Sequence, residues 1–395
     1  MPRAGLRRSG EEELRVTNLE LFFDLVYVFA ITQLSQFLLG HLDAGGAAKT
    51  LLLLLVVWWA WGYTTWMTNW FDPDAIPVRL VLIVVMLASL GMSIAIPQAF
   101  GDRALLFAGS YVALQAVRNC FVVWATAHGD PLHAGFQRIL AWGLGAGALW
   151  IAGALAPERW RVPIWVVALA VDYAGPALRY RTPGLGRSEF SEWVIEGGLF
   201  AERFQLFIII ALGESIVVTG ATASKLDLDL ATAVSIAVAF AGSAALWWLY
   251  FDYVASSSSR RLRVIAETGR AGRDAFTYIH ILLIAGIVAT AVADEVVIAH
   301  PDHALHGASL AVAIAGPALY LVGHLAFRWR MTGRSSGLRA GGVVAVVLVT
   351  PLGLVAPALA TLAAVNLVLA GLVVLETLGY GRPPPRQRRA RPSAA

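Results

Sequence analysis

Acidic side chains stand inside stretches of this sequence that are otherwise apolar enough to enter a membrane. Glu20 and Asp24 begin the run ELFFDLVYVFAIT, and Glu214 follows Glu202 by twelve residues in the run ERFQLFIIIALGES. An ionised side chain at the centre of a bilayer costs at least about 2.5–3.5 kcal/mol on insertion scales, so such residues usually bind, pair or carry protons. These carboxylates are therefore the first candidates for chemistry.

The helix that begins at Glu20 carries a graded stripe of side chains. Glu20 and Asp24 are four residues apart and share one helix face, which helical spacing continues through a tyrosine and two aliphatic residues, Tyr27, Ile31 and Leu34. The stripe fits a cation-attracting vestibule or a coupling carboxylate. Two structural alternatives stay open: Glu20 can stabilise the positive end of the helix dipole, and Asp24 can pair with a distant arginine.

Glu214 lies about 18 Å along a helix from Glu202, which predicts a position near mid-membrane. A carboxylate at that depth has to be neutral, ion-paired or in contact with a wet cavity, and Ser215 can complete a small polar site beside it. Arg203 is too far along the same helix to pair with Glu214, so Arg118 is the favoured charge partner. An ordinary buried ion pair is the alternative.

His280 is a further candidate charge partner, because imidazole carries protons near neutral pH. A hydrogen-bonded structural histidine is the alternative. The sequence contains no HExxH, CxxC, P-loop or GxSxG pattern. We therefore expect no metal and no cofactor, and an enzyme is the less favoured interpretation.

Composition indicates the class of protein that holds these residues. Of 395 residues, 58% are hydrophobic and only 14% are charged, whereas a soluble domain carries about 25% charge. We predict an all-α polytopic membrane protein whose partner is the lipid bilayer. Twelve stretches are long enough to span it as helices: 19–40, 50–71, 78–100, 103–127, 137–156, 159–178, 199–222, 230–254, 274–298, 305–328, 339–357 and 359–379.

Positive charge in the connecting segments predicts the orientation of the helices. With twelve spans, 23 of the 30 Lys and Arg residues fall on the side of both termini, and five fall on the opposite side. This places both termini in the cytoplasm. The basic C-terminal segment then acts as a topology determinant near anionic lipid, and no nucleic-acid partner is expected.

The two halves of the sequence match weakly but in the same order. ELF at 20–22 matches ERF at 202–204 with an offset of 182 residues, and Gly91 and Gly286 occupy corresponding points of the third helix in each half. We predict a parallel six-plus-six repeat. The resulting segments are a cytoplasmic N-terminal segment 1–18, a first repeat 19–180, a cytoplasmic linker 181–198, a second repeat 199–380 and a basic disordered tail 381–395.

Two motifs, ELFFDLVYVFAITQLSQFL and ERFQLFIIIALGESIVV, together resemble the bacterial low-temperature-requirement A family over about residues 15–380. The resemblance implies a multi-pass protein of the bacterial cytoplasmic (inner) membrane, linked to growth in the cold, with no molecular activity to carry over.

A second resemblance concerns the first helix alone. FFDLVYVFAIT is similar to the F-S-D-x-V-F-A-I-A-I-T motif of the lysosomal-type potassium channels, with Phe23 in place of the serine and Leu206 where the second half would carry the aspartate. In that family, six-helix units line a cation pore with their first helices, and Ile or Leu residues constrict it.

These observations favour transport of an ion or a small solute, with the first and seventh helices as the working pair. A channel would be constricted near Ile31 and Leu34, whereas a proton-coupled carrier needs Glu214 or Asp24 to titrate. A membrane-embedded enzyme acting on a lipid or lipid-soluble cofactor is the competing class, which predicts a cavity with arginines at its mouth. A structural or stress-response protein is the third class, in which the carboxylates only pair with arginines. A homodimer stays an open alternative.

Overall fold

The computed structural model describes residues 15–189, 192–226, 229–252, 262 and 268–379. Most of the predicted N-terminal segment 1–18, the end of the predicted span 230–254 and the whole predicted tail 381–395 lie outside these residues. Within the described ranges the chain is helical, and its extended pairing is limited to isolated bridges.

The described residues form twelve helices, numbered here in chain order. The first half contains α1 Asn18–Gly40, α2 Ala44–Trp70, α3 Ile76–Ala95, α4 Ala104–Ala125, α5 Pro131–Leu155 and α6 Glu158–Ala177. The second half contains α7 Gly197–Ala223, α8 Leu230–Tyr250, α9 Thr268–Ala299, α10 Gly307–Thr332, α11 Gly337–Gly353 and α12 Ala358–Thr377.

Ten of these helices are long and apolar enough to cross a membrane. The other two are α6, whose 20 residues include two arginines and two acids, and α11, which is shorter and interrupted after Leu348. Each predicted span overlaps one helix. The prediction of an all-α polytopic membrane protein is therefore confirmed.

Helices α1 and α7 run side by side and parallel. Near their starts Arg203 contacts Asp24, and further along Thr32 of α1 contacts Glu214 of α7. The second pair is separated by 182 residues, which equals the offset of the sequence match between the two halves. Helix α1 also packs against α2, α3 and α9, so it is surrounded by protein on the face that carries its polar residues. The six-plus-six repeat itself stays a prediction.

Glycine allows α9 and α10 to approach closely. A Cβ atom added to Gly286 would lie 2.7 Å from the backbone nitrogen of Tyr320 and 2.8 Å from the carbonyl oxygen of Gly316. Backbone atoms at this distance cannot move aside as a side chain can, and small residues are the usual means by which membrane helices pack tightly. Gly286 is therefore a packing residue of the second half.

We expect Gly286→Ala to lower the free energy of unfolding by about 1–3 kcal/mol, because overpacking forces two backbones apart. Gly145→Ala is the matched control, since its Cβ would meet nothing within 4 Å and the site is exposed. Thermal unfolding of the purified proteins in detergent measures the effect. Equal melting temperatures for Gly286→Ala and wild type would contradict the tight α9–α10 contact.

Candidate functional site

Two acids of α1 and one arginine of α7 form a buried ion cluster. Arg203 places Nη1 3.1 Å from Glu20 Oε1 and Nη2 2.6 Å from Asp24 Oδ1. Trp61 of α2 donates its indole N–H to the same Asp24 oxygen at 2.8 Å. The three charged side chains are at most 2% exposed. The four-residue spacing on α1 thus presents both carboxylates to one guanidinium.

The start of α1 fixes the position of Glu20. Thr17 accepts a hydrogen bond from the Glu20 backbone N–H at 3.3 Å, and the Thr17 backbone N–H donates to Glu20 Oε2 at 2.9 Å. In this capping box the acid also lies at the positive end of the helix dipole. Its other oxygen, Oε1, faces Arg203. Glu20 therefore both stabilises the first turn of α1 and pairs with Arg203.

Aromatic rings cover the ion cluster. Trp61 packs against Phe204 and Phe207 of α7, with ring centroids 4.8 Å and 4.3 Å away, and Trp58 lies 5.6 Å from Phe204. Rings at these positions exclude water, so the charges interact in surroundings of low polarity. There a pair is strong, while removing one partner leaves a buried charge uncompensated. Trp58 and Trp61 of α2 therefore shield the charges from water.

A second acidic cluster lies further along the same α1–α7 interface. Glu214 Oε2 accepts a hydrogen bond from Thr32 of α1 at 2.5 Å. Glu295 of α9 accepts hydrogen bonds from Gln36 and Thr222, both at 3.2 Å. Gln36 is one turn beyond Thr32 on α1, a rise of roughly 6 Å. The α1 donors of the two carboxylates therefore lie one helical turn apart, at the interface of α1, α7 and α9.

Glu214 has no cationic partner among the residues that the structure describes. Its side chain is 0% exposed, no Lys, Arg or His nitrogen of those residues lies within 4.0 Å of it, and its Oε1 atom accepts no hydrogen bond from them. Ser215 is also buried, and its hydroxyl has no hydrogen-bond partner in the same part of the chain. This carboxylate differs from Glu20 and Asp24 in having a neutral donor instead of an arginine.

Arg118 does not fulfil the predicted pairing with Glu214. Its guanidinium donates to Gln115 of its own helix and, at 3.4 Å, to the Ala60 carbonyl and the Thr64 hydroxyl of α2. It also lies 5.2 Å from the centroid of the Tyr63 ring. Helix α4 faces α2, α3 and α5, so its arginine faces a different interface from the one that holds Glu214.

His280 also has a different role from the predicted charge partner. Its Nε2 lies 3.0 Å from the Tyr250 hydroxyl, and its Nδ1 lies 3.1 Å from the Ala275 carbonyl oxygen. Since a carbonyl only accepts, Nδ1 donates and Nε2 accepts. The ring packs between Phe204, Phe276 and Phe327. His280 is a hydrogen-bonded core residue.

The remaining predicted residues divide between core and surface. Tyr27 donates to or accepts from Ser89 of α3 at 3.0 Å, and Ile31 and Leu34 are fully buried in the core. The stripe on α1 therefore faces protein along its whole length. Glu202 lies half-buried on α7 next to Arg203, while the neighbouring arginine turns toward α1.

Four polar residues of the second cluster are absent from the predicted site. They are Thr32, Gln36, Thr222 and Glu295. One signal could have found the first of them, since the offset of 182 residues applied to Glu214 points to Thr32. Trp61 is likewise absent from the predicted site, although it donates its indole N–H to Asp24.

We expect Arg203→Met to lower the free energy of unfolding by about 3–5 kcal/mol, because it leaves two carboxylates buried without compensation. The triple variant Glu20→Gln, Asp24→Asn, Arg203→Met should recover most of that loss, since it removes all three charges. Thermal unfolding in detergent measures both.

Arg187→Met is the control for this series, because its side chain is 63% exposed and surface changes usually stay within about 0.5 kcal/mol. A triple variant as unstable as Arg203→Met alone would contradict an electrostatic role for the cluster.

Comparison with known proteins gives the family of this chain. The family model for the bacterial low temperature requirement A protein (LtrA) matches residues 15–374. An uncharacterized protein of Rhizobium meliloti (strain 1021) is 37% identical over 321 residues, which cover 80% of this chain and 78% of that protein. No solved structure gives a significant match. The chain therefore belongs to the bacterial low temperature requirement A family.

Proposed function

We propose that this protein transports a proton or a monovalent cation, alone or with a small solute, along the α1–α7 interface. The observation that carries the proposal is the Glu214 carboxylate, which is buried and has no cationic partner among the described residues. A carboxylate in that position is more stable when it binds a proton or a cation than when it is bare. Binding there is the first step that a carrier needs.

The oxygen atoms of this cluster suit a small hard cation or a proton. Thr32 contacts Glu214, while Gln36 and Thr222 contact the second carboxylate, Glu295, and the three offer hydroxyl or amide oxygens. Oxygen ligands of this kind suit hard cations. The carboxylate of Glu295, whose donor Gln36 is one turn beyond Thr32 on α1, adds attraction for positive charge.

The two ends of the α1–α7 interface differ in access. Gln36 is exposed and Glu295 is half-buried, so the cluster around Glu214 lies close to the surface on that side. At the other end, Glu20, Asp24 and Arg203 are at most 2% exposed. This arrangement is the one expected of a carrier that is open toward one side and closed on the other.

Packing favours a carrier over a channel. Ile31 and Leu34, which a channel would use to constrict an open pore, are 0% exposed and belong to the core. Movement of α1 against α7 would have to break the Arg203 contacts and make them again. As part of the proposal we keep the predicted orientation, which places both termini in the cytoplasm, and the parallel repeat, which makes α1 and α7 equivalent first helices.

Ion flux into proteoliposomes tests the proposal. Wild-type protein should carry protons, Na⁺ or K⁺ saturably when a valinomycin-set potential or a pH gradient is imposed. Glu214→Gln should lower the initial rate by about tenfold or more, because an interaction with a charged group worth about 1.5–3 kcal/mol is lost. A pH-sensitive dye inside the vesicles, together with cation-specific electrodes, measures these rates.

Glu158→Gln is the control, because Glu158 is an exposed acid at the start of α6, and its rates should equal those of wild type. Flux that is no higher than in protein-free vesicles for all three ions would refute the proposal. So would equal rates for wild type and Glu214→Gln.

A further inference from the structure

An aromatic cleft opens at the end of the bundle where α2 and α6 end and α9 begins. Its walls carry rings from Trp59, Tyr63, Trp66, Tyr180, Trp193 and Tyr278. The cleft has a volume of about 620 Å³ when its open mouth is included. Its interior, however, admits only a few water molecules. It is therefore a narrow slot, which suits a thin or flat molecule better than a bulky one.

Charged groups line the same slot. Arg179 forms an ion pair with Glu189 and donates from Nε to the Ser188 carbonyl at 2.8 Å. Arg273 donates to the Pro176 carbonyl at 3.1 Å and lies 2.7 Å from Asp274. Two guanidiniums and one carboxylate face the slot, and that carboxylate is 55% exposed. Asp274 in turn accepts a hydrogen bond from Arg330 at 2.8 Å. Counting these two neighbours, three guanidiniums stand against two carboxylates, so the surroundings of the slot carry excess positive charge.

The backbone at the slot is strained. Arg179 and Tyr180 have φ angles of 57° and 48°, a left-handed conformation that only glycine adopts without cost. Gly175 makes this possible, because a Cβ there would lie 2.4 Å from the Tyr180 ring. Backbone strain in non-glycine residues is concentrated at functional sites. Here it brings one guanidinium and one ring onto the same slot.

The opposite wall is a π-helix. Residues Gly272–Ile279 at the start of α9 adopt this rare form, which is found mostly as short insertions at functional sites. The Thr277 carbonyl accepts the indole N–H of Trp58 at 2.6 Å, and its hydroxyl accepts that of Trp66 at 3.1 Å. These bonds fix the rings of α2 against the π-helix. The slot is therefore a built feature of the fold.

We propose that this slot binds a planar aromatic anion, with its ring between the aromatic walls and its anionic group facing Arg179 and Arg273. Aromatic rings alone would also attract a cation, but two guanidiniums at the same slot repel one. An aliphatic anion would satisfy the arginines without using ring stacking. The anion competes with Glu189, the exposed partner of Arg179. The slot shares no residue with the Glu214 cluster, so this proposal and the transport proposal can fail separately.

Calorimetry on the full chain in lipid nanodiscs tests this site with three probes, and protein-free nanodiscs correct for partition into lipid. The probes are naphthoate, a quaternary ammonium cation built on the same naphthalene ring, and decanoate. Naphthoate should bind saturably and about tenfold or more tighter than the other two, because only it matches both the ring walls and the arginines.

Two variants assign the binding to the slot. Arg179→Gln should weaken naphthoate binding by about tenfold, because a charge-assisted contact is lost. Tyr180→Leu should also weaken it, because one ring wall is removed. Arg181→Gln is the control, since Arg181 lies on the same linker, is exposed and does not line the slot; its binding should match wild type.

The proposal is overturned by absence of saturable naphthoate binding, by equal or tighter binding of the cation or decanoate, or by an Arg179→Gln protein that binds as wild type does. Melting temperatures of the variants in the same nanodiscs show that each one is folded. If Tyr180→Leu fails to fold, the probe series and Arg179→Gln decide the outcome.

Discussion

Arg203 holds two carboxylates of α1 inside the protein, and the arrangement of the whole α1–α7 interface depends on that contact. Charges in a membrane interior need a partner of opposite charge, and here one guanidinium contacts both Glu20 and Asp24. The contact sets α1 parallel to α7 in a fixed register. In that register Thr32 lies beside Glu214. The ion cluster at one end of the interface therefore positions Glu214, which has no cationic partner in the described part of the chain.

The two acidic clusters have different chemistry although the same helices carry them. The first shares one arginine between its two carboxylates, is capped by Thr17 and is covered by tryptophan, which is what a closed structural contact needs. The second contains Glu214 and Glu295 with neutral donors only among the described residues. Membership of the LtrA family gives no activity for either. The case for transport therefore depends on Glu214, not on the motif that identifies the family.

The positions of the helices could be predicted well from the sequence, but the contacts between them could not. Hydropathy over about 20 residues is a local property, so the spans could be located and the stripe on α1 could be placed on one face. Which arginine meets which acid depends on how helices far apart in sequence pack. Arg203 was correctly judged too far along its own helix to pair with Glu214. Arg118, however, was wrongly predicted to be the ion-pair partner of Glu214. Neither the π-helix at Gly272–Ile279 nor the strained turn at Arg179 has a sequence signal of that kind, because both follow from tertiary packing.

Infrared difference spectroscopy on Glu214 shows whether this carboxylate binds a proton or a cation inside the α1–α7 interface. Spectra of the purified protein in lipid would be compared before and after a rise in pH or the addition of Na⁺ or K⁺. If Glu214 binds either one, wild type shows a carboxyl band that changes on titration and is missing from Glu214→Gln. A spectrum without any such change, or a band that persists in Glu214→Gln, would contradict this binding.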